Sequence, residues 1–292
     1  DFVGSQLGCD VELQQNSRAQ VSKIDGGCMN KNGPIALLFN GLIISFMLAP
    51  LVIVCLVAFT PGNTLTIPTT EFSLRWFAAV FKHSDFVTAF WNSLWLAIAA
   101  ASLSTAIAIP AGLAITRFQF KGRDALNGLF LSPLIVPHLV LGVALLRLFS
   151  LIGATGSFGW LILAHTLIVT PFVLRLIVAA SSGMDSHCED AARSLGASRG
   201  TVFWRVTLPM ILPGVTGGWL LAFINSFDEV TMSIFVTSPV TVTLPVRMYM
   251  YATESVDPLM AAVSALMVAL TAGVMVILDR LYGLDKVLVG EK

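Results

Sequence analysis

Charged side chains are scarce in this chain. Asp, Glu, Lys and Arg make up 12% of its 292 residues, whereas soluble domains contain about 25%. Hydrophobic residues account for 56%, so the chain lacks the polar surface that a water-soluble globule of this length needs. The formal net charge is zero, which gives no electrostatic reason to expect a nucleic-acid partner. We therefore expect an integral membrane protein in contact with membrane lipid.

Motifs for cofactors and metals are also missing from the sequence. No stretch reads G-x-x-x-x-G-K-[ST], the loop that holds nucleotide phosphates, so we expect no ATPase activity in this chain. No C-x-x-C pair and no H-E-x-x-H occurs, so we expect reduced cysteines, no metal and no cofactor. We interpret His138 and His165 as packing histidines, with a metal pair as the alternative. No nucleophile–base arrangement indicates an enzyme.

Long apolar runs predict an all-α membrane protein. A helix that crosses the bilayer core of about 30 Å needs roughly 20 mostly apolar residues. Six stretches qualify and define a transmembrane domain over residues 34–285; they lie at about 35–59, 88–116, 126–150, 157–182, 211–236 and 257–282. The polar segment 1–33 is expected to be disordered or foreign to the natural protein, with Met29 resembling a start. Residues 286–292 are expected to form a tail.

Basic residues gather on one side of the six predicted spans. Twelve Lys and Arg residues lie before the first span, in the second and fourth connections, and after the last span, against four on the other side. Positive charge marks the cytoplasmic loops. We therefore expect both termini, and the long connection at about 183–210, to be cytoplasmic.

This long connection predicts two short helices. Asp185 or Ser186 is a suitable N-cap for the first, and acidic residues occupy its first turn. Gly196 suits a left-handed C-cap, and Ser198 suits the N-cap of the second helix. We expect Pro209 to end that second helix before the fifth span. A compact helix outside the membrane is suited to docking in a groove of a partner protein.

The same connection carries a motif. Asp190-Ala191-Ala192, three residues, Gly196, nine residues and Val206-Thr207-Leu208-Pro209 resemble the pattern E-A-A, G and I-x-L-P of binding-protein-dependent ABC importer permeases, with Asp for Glu and Val for Ile. The resemblance implies the type I importer fold, a bacterial cytoplasmic (inner) membrane, and a coupling helix between the fourth and fifth spans. The residues that it assigns to the ATPase contact are Glu189, Asp190, Ala191, Ala192, Arg193, Leu195 and Gly196.

Partners follow from the resemblance alone. It implies two ATP-binding cassette ATPase subunits that bind ATP and Mg, a second homologous permease subunit and a periplasmic solute-binding protein. Further along, Gly218–Phe223 and Ser226–Val230, with Phe235–Pro239, resemble the second permease subunit of spermidine/putrescine-type importers.

Two acidic residues fall inside the fifth predicted span. A charge at mid-membrane costs about 2.5–3.5 kcal/mol, so Asp228 and Glu229 are expected to face protein or a water-filled cavity. One interpretation is a negative lining of a translocation path for a cationic solute such as putrescine or spermidine; the other is an ion pair that only fixes packing. Neighbouring helical residues point about 100° apart, so one of the two is expected to face the path. The other candidates on that face are Asn225, Ser226 and Met232.

Other functions stay open at this stage. The solute could instead be opine-like or amino-acid-like, since the sequence does not name it. A proton-coupled secondary transporter is the alternative class, although the paired broken helices of such carriers are not evident. Gly214 and Gly218 have the G-x-x-x-G spacing of close helix packing, either inside the chain or against a second membrane subunit.

Overall fold

The computed structural model describes residues 33–67, 71–185 and 187–282, and within these ranges it is helical without strands. Most of the predicted segment 1–33 and all of the predicted tail 286–292 lie outside the described residues. The chain divides into two units, residues 1–53 and 54–292. In the first unit, the described residues form the larger part of helix α1 (Pro34–Val57).

The second unit holds the end of α1 and the remaining helices. It also contains a 3-10 turn (Ser132–Leu134) and a π-helical segment (Phe203–Thr207). In chain order the helices are α2 (Arg75–Lys82), α3 (Ser84–Arg117), α4 (Arg123–Leu131), α5 (His138–Leu151), α6 (Phe158–Ser182), α7 (His187–Ser194), α8 (Arg199–Val202), α9 (Leu208–Phe227), α10 (Ser233–Val236), α11 (Leu244–Glu254) and α12 (Pro258–Tyr282).

Five helices of the described chain are long and apolar enough to cross a membrane. They are α1, α3, α6, the continuous stretch Arg199–Phe227 and α12. These five correspond to the first, second, fourth, fifth and sixth predicted spans, so the all-α membrane fold is confirmed. A sixth crossing is present if the bent pair formed by α4 and α5 counts as one span.

The third predicted span is not a single helix. Residues at about 126–150 were expected to form one span, but Arg123–Leu134 and His138–Leu151 meet at 98°. Pro137 is the N-cap of α5, with ψ of 130°. Proline has no N–H to donate, and it disfavours helical geometry in the residue before it. The bend therefore lies where the backbone cannot continue the hydrogen-bond ladder.

Both ends of the fifth predicted span differ from expectation. Pro209 does not end the loop helix, because it lies directly after the π-helical segment Phe203–Thr207 and the helical stretch Arg199–Phe227 continues past it. At the other end, α9 stops at Phe227 and not near residue 236. The carboxylate of Glu229 accepts a hydrogen bond from the Met232 N–H at 2.7 Å. This side-chain contact replaces a helical bond, as polar side chains often do at helix ends.

Close packing of α3, α6 and α9 forms the core of the second unit. A Cβ atom at Gly214 would lie 2.5 Å from the Ala180 Cβ and 2.7 Å from the Leu176 carbonyl oxygen. At Gly218 it would lie 3.1 Å from the Val173 Cα. The G-x-x-x-G pair of α9 therefore packs inside the chain against α6, which favours the first of its two interpretations. The small residues permit the two backbones to approach closely.

Candidate functional site

The connection between α6 and α9 begins with the short helix α7, as the sequence predicted, whereas its second helix, α8, continues through the π-helical segment into α9. The Asp185 Oδ1 accepts a hydrogen bond from the His187 N–H at 2.9 Å. Gly196 has φ of +85°, and its N–H donates to the Arg193 carbonyl at 2.9 Å, while the next N–H reaches the Ala192 carbonyl at 3.1 Å. These two bonds are those of a Schellman C-cap, so the predicted left-handed cap is confirmed. The Ser198 hydroxyl caps α8 by accepting from the Thr201 N–H at 3.2 Å.

One face of α7 and its C-cap is open to solvent. Leu195 is 90% exposed, and the side chains of Asp190 and Arg193 are 66% and 55% exposed, with a distance of 3.8 Å between their charged atoms. Ala191 and Gly196 are also exposed, and Ala192 is half-buried. This face thus presents an exposed leucine, small residues and a loose surface ion pair to the surroundings.

Glu189 differs from the other predicted contact residues, because it points inward. Its Oε2 lies 3.0 Å from Arg117 Nη1 at the end of α3. Its Oε1 accepts a hydrogen bond of 2.6 Å from the Thr207 hydroxyl, where the π-helical segment ends. Sequence reasoning grouped Glu189 with Asp190 and missed both partners. The available signal was helical geometry, since adjacent side chains point about 100° apart and do not share one face.

The two acidic residues beyond α9 have different surroundings. Asp228 is the C-cap of α9 and its side chain is exposed. The side chain of Glu229 is only 10% exposed, and its Oε2 lies 2.9 Å from Nδ1 of His138 at the start of α5. Its other oxygen binds the Met232 N–H. Of these two acidic residues, Asp228 has an open carboxylate, whereas Glu229 joins the bent third span to the end of α9.

The other predicted path residues divide between core and surface. Ser226 is buried, with its hydroxyl 2.9 Å from Nδ1 of His165, and the opposite ring nitrogen lies 2.9 Å from the Ser233 hydroxyl. Met232 is fully buried. Asn225 is half-buried, and its side-chain amide donates to the Leu221 carbonyl at 2.8 Å. Asp228 is thus the most open of the five candidate path residues.

Both histidines that the sequence singled out have hydrogen-bond partners. His165 is buried between two serine hydroxyls, as a packing histidine would be. His138 has an acidic partner that sequence reasoning did not assign, although a carboxylate near the membrane needs one. Across the described residues, no group of three or more His, Cys, Asp or Glu side chains is placed to hold a metal ion.

Comparison with known proteins assigns the family. Residues 106–284 match the model of the family described as "Binding-protein-dependent transport system inner membrane component". The chain belongs to this family. It is accordingly a multi-pass inner-membrane protein with the type I importer fold, and a transport subunit of an ABC transporter complex.

Relatives of this permease cover most of its length. It is 33% identical over 206 residues to the spermidine/putrescine transport system permease protein PotC of Haemophilus influenzae, covering 70% of this chain and 80% of that protein. It is 29% identical over 248 residues to PotC of Escherichia coli K12, covering 85% and 93%. A solved bacterial ABC transporter involved in the import of alginate has a TM-score of 0.65 at 14% identity, covering 85% and 94%, and supports the fold alone.

Proposed function

We propose that this permease forms one half of the translocation path for a polyamine such as putrescine or spermidine. The observation that carries the proposal is the exposed carboxylate of Asp228, which forms no ion pair with any described residue. An open negative charge attracts a cationic solute. The relatives named as spermidine/putrescine permeases support the same solute class.

The open carboxylate lies far from the α7 connection. The 20 residues of α9 correspond to a helix of about 30 Å. With the α7 connection in the cytoplasm, as the distribution of basic residues indicates, Asp228 lies toward the outer side. A solute released from an outer binding protein would meet this carboxylate early in its passage. The same orientation leaves both termini in the cytoplasm.

The proposed complex contains further subunits. It consists of this permease, a second homologous permease, two ATP-binding cassette ATPases that bind ATP and Mg, and a periplasmic solute-binding protein. The exposed face of α7, with Asp190, Ala191, Arg193 and Leu195, is the surface offered to one ATPase. ATP-driven closure of the ATPases would move α7 and open the path outward, so that transport proceeds by alternating access.

Reconstitution in liposomes tests this function. The permease is assembled with the ATPase, partner permease and binding-protein chains of the same system, and uptake of labelled putrescine and spermidine is measured with and without ATP. Uptake that requires both ATP and the binding protein supports the proposal. ATPase stimulation by the binding protein without polyamine uptake rejects the solute and favours an opine-like or amino-acid-like one. Uptake driven by a proton gradient without ATP would favour a secondary transporter.

A further inference from the structure

Three membrane helices converge beneath the α7 connection. The Thr116 and Ser181 hydroxyls lie 2.8 Å apart and join the ends of α3 and α6. Arg117 is the last residue of α3, and Thr207 is the last residue of the π-helical segment that leads into α9. The carboxylate of Glu189 contacts both of these residues. A single side chain of α7 therefore reaches two of the three helix ends.

The contacts of Glu189 are charge-assisted hydrogen bonds. A carboxylate that accepts from a guanidinium and from a hydroxyl forms charge-assisted hydrogen bonds, which are shorter and stronger than neutral ones. The Glu189 side chain is 11% exposed and that of Arg117 is 19% exposed, so water competes little for either. Among the residues that the structure describes, this is the only salt bridge between α7 and a membrane-spanning helix.

Apart from this carboxylate, α7 is attached by its two backbone connections and by packing against α8 and the π-helical segment. On one side the chain passes from Gly183 through Asp185 into α7. On the other it turns through the left-handed Gly196 into α8. A short helix between two turns would be free to tilt when a partner displaces it, and α3 would not move with it. A buried carboxylate bonded to α3 and to the start of α9 removes that freedom.

We propose that Glu189 is a positioning residue for energy coupling, which binds Arg117 and Thr207 so that displacement of α7 reaches α3 and α9 together. The inference rests on the proposed docking of α7 onto an ATPase. It gives different roles to the neighbouring acidic residues Glu189 and Asp190. Asp190 faces outward toward the ATPase, whereas Glu189 faces inward and transmits the movement. The π-helical segment at Phe203–Thr207 is consistent with this role, because such segments recur at functional sites.

A double-mutant cycle in the reconstituted complex tests the inference. Glu189→Gln, Arg117→Gln and the double variant are compared with wild type for solute transported per ATP hydrolysed and for the amount of ATPase that co-purifies. Glu254→Gln, an exposed residue at the end of α11, is the matched control. We expect each single variant to retain the ATPase and to lower solute transported per ATP about tenfold, the loss of one charged hydrogen bond. The double variant should fall no further, because both changes remove one contact.

Several outcomes would overturn the inference. Unchanged solute per ATP in Glu189→Gln, or effects that add in the double variant, would show that the contact does not transmit the movement. Loss of co-purifying ATPase in Glu189→Gln would make this residue a docking contact. If Glu189→Gln is not inserted, Thr207→Val replaces it, because it removes one hydrogen bond and keeps the ion pair. It should lower the ratio in the same direction, and an unchanged ratio would count against the inference. A wild-type complex without ATP-dependent uptake would instead reject the proposed function.

Discussion

Gly196 offers the sharpest test of the α7 connection. Its φ of +85° lies in the left-handed region, where a residue with a Cβ atom costs roughly 1–2 kcal/mol. A Cβ atom built at this position meets no heavy atom within 4 Å, so Gly196→Ala would have only this conformational cost. That cost lowers the equilibrium constant for forming the correctly capped α7 about 5- to 30-fold. We expect ATP-dependent uptake to fall with it.

A graded series isolates the backbone as the cause. Asn tolerates the left-handed region better than Ala, so Gly196→Asn should lose less uptake. Gly196→Pro should lose most, because proline fixes φ near −65° and removes the N–H that binds the Arg193 carbonyl. Gly200→Ala is the matched control: Gly200 lies in α8, also with no heavy atom within 4 Å of its Cβ position, and without a positive φ.

The assay is ATP-dependent uptake in liposomes, normalised to inserted protein, with ATPase co-purification measured in parallel. The expected order of uptake is wild type and Gly200→Ala together, then Gly196→Asn, Gly196→Ala and Gly196→Pro. Membrane insertion should stay unchanged, since the turn lies outside the apolar spans. Equal effects of Gly196→Ala and Gly200→Ala would refute the backbone argument. Normal, tightly coupled transport in Gly196→Pro would refute the docking role of α7.

Further predictions concern the far end of α9 and its packing. Asp228→Asn should raise the KM for a polyamine about fivefold, a loss of about 1 kcal/mol for an exposed charge contact; an unchanged KM would remove this residue from the path. Glu229→Gln and His138→Gln should each lower thermal stability in detergent and leave the KM unchanged, and their double variant should show less than the sum, because they share one contact. A KM effect of Glu229→Gln would place this residue in the path. Gly214→Ala should cost about 1–3 kcal/mol by overpacking, seen as a lower melting temperature, whereas Gly128→Ala, with open space around it, should not destabilise the protein.

Local signals in the sequence predicted the α7 connection well. Caps depend on residues within a few positions of each other, so Gly196 and Ser198 indicated both helix boundaries directly. Helical geometry could have separated Glu189 from Asp190, but its partner Arg117 was not predictable, because it is 72 residues away. Only the packing of α3 against the connection brings the two together.

Proline alone did not reveal the bend in the third span. Pro50, Pro110 and Pro171 all lie inside continuous helices, as prolines of membrane-spanning helices commonly do. Pro137 differs in following the 3-10 turn Ser132–Leu134, which itself contains a proline. Two interruptions within a few residues end the helix where one would only distort it. The apolar length of residues 126–150 gave no indication of this difference.

The fifth span was predicted in its apolar part and missed at its acidic end. Helical periodicity placed Asp228 and Glu229 on one continuous helix, and the prediction that one of them faces a path used that geometry. In the structure, the helix ends before both, because Glu229 uses its carboxylate on a backbone N–H and on His138. Asp228 and Glu229 therefore differ in their surroundings because both lie in the turn after α9 and not on one continuous helix.

Helix α9 connects the two candidate sites. At its start, Thr207 binds Glu189, and at its end lies Asp228. Along its length, Gly214 and Gly218 hold its backbone close to α6, where an added methyl group would clash at Gly214 and be tight at Gly218. Close-packed interfaces of this kind transmit displacement because they cannot compress. A movement of α7 would thus reach the open carboxylate through α9, with α6 carried along. Variants at the two ends should consequently differ in readout, with the α7 connection changing solute per ATP and the far end changing solute affinity.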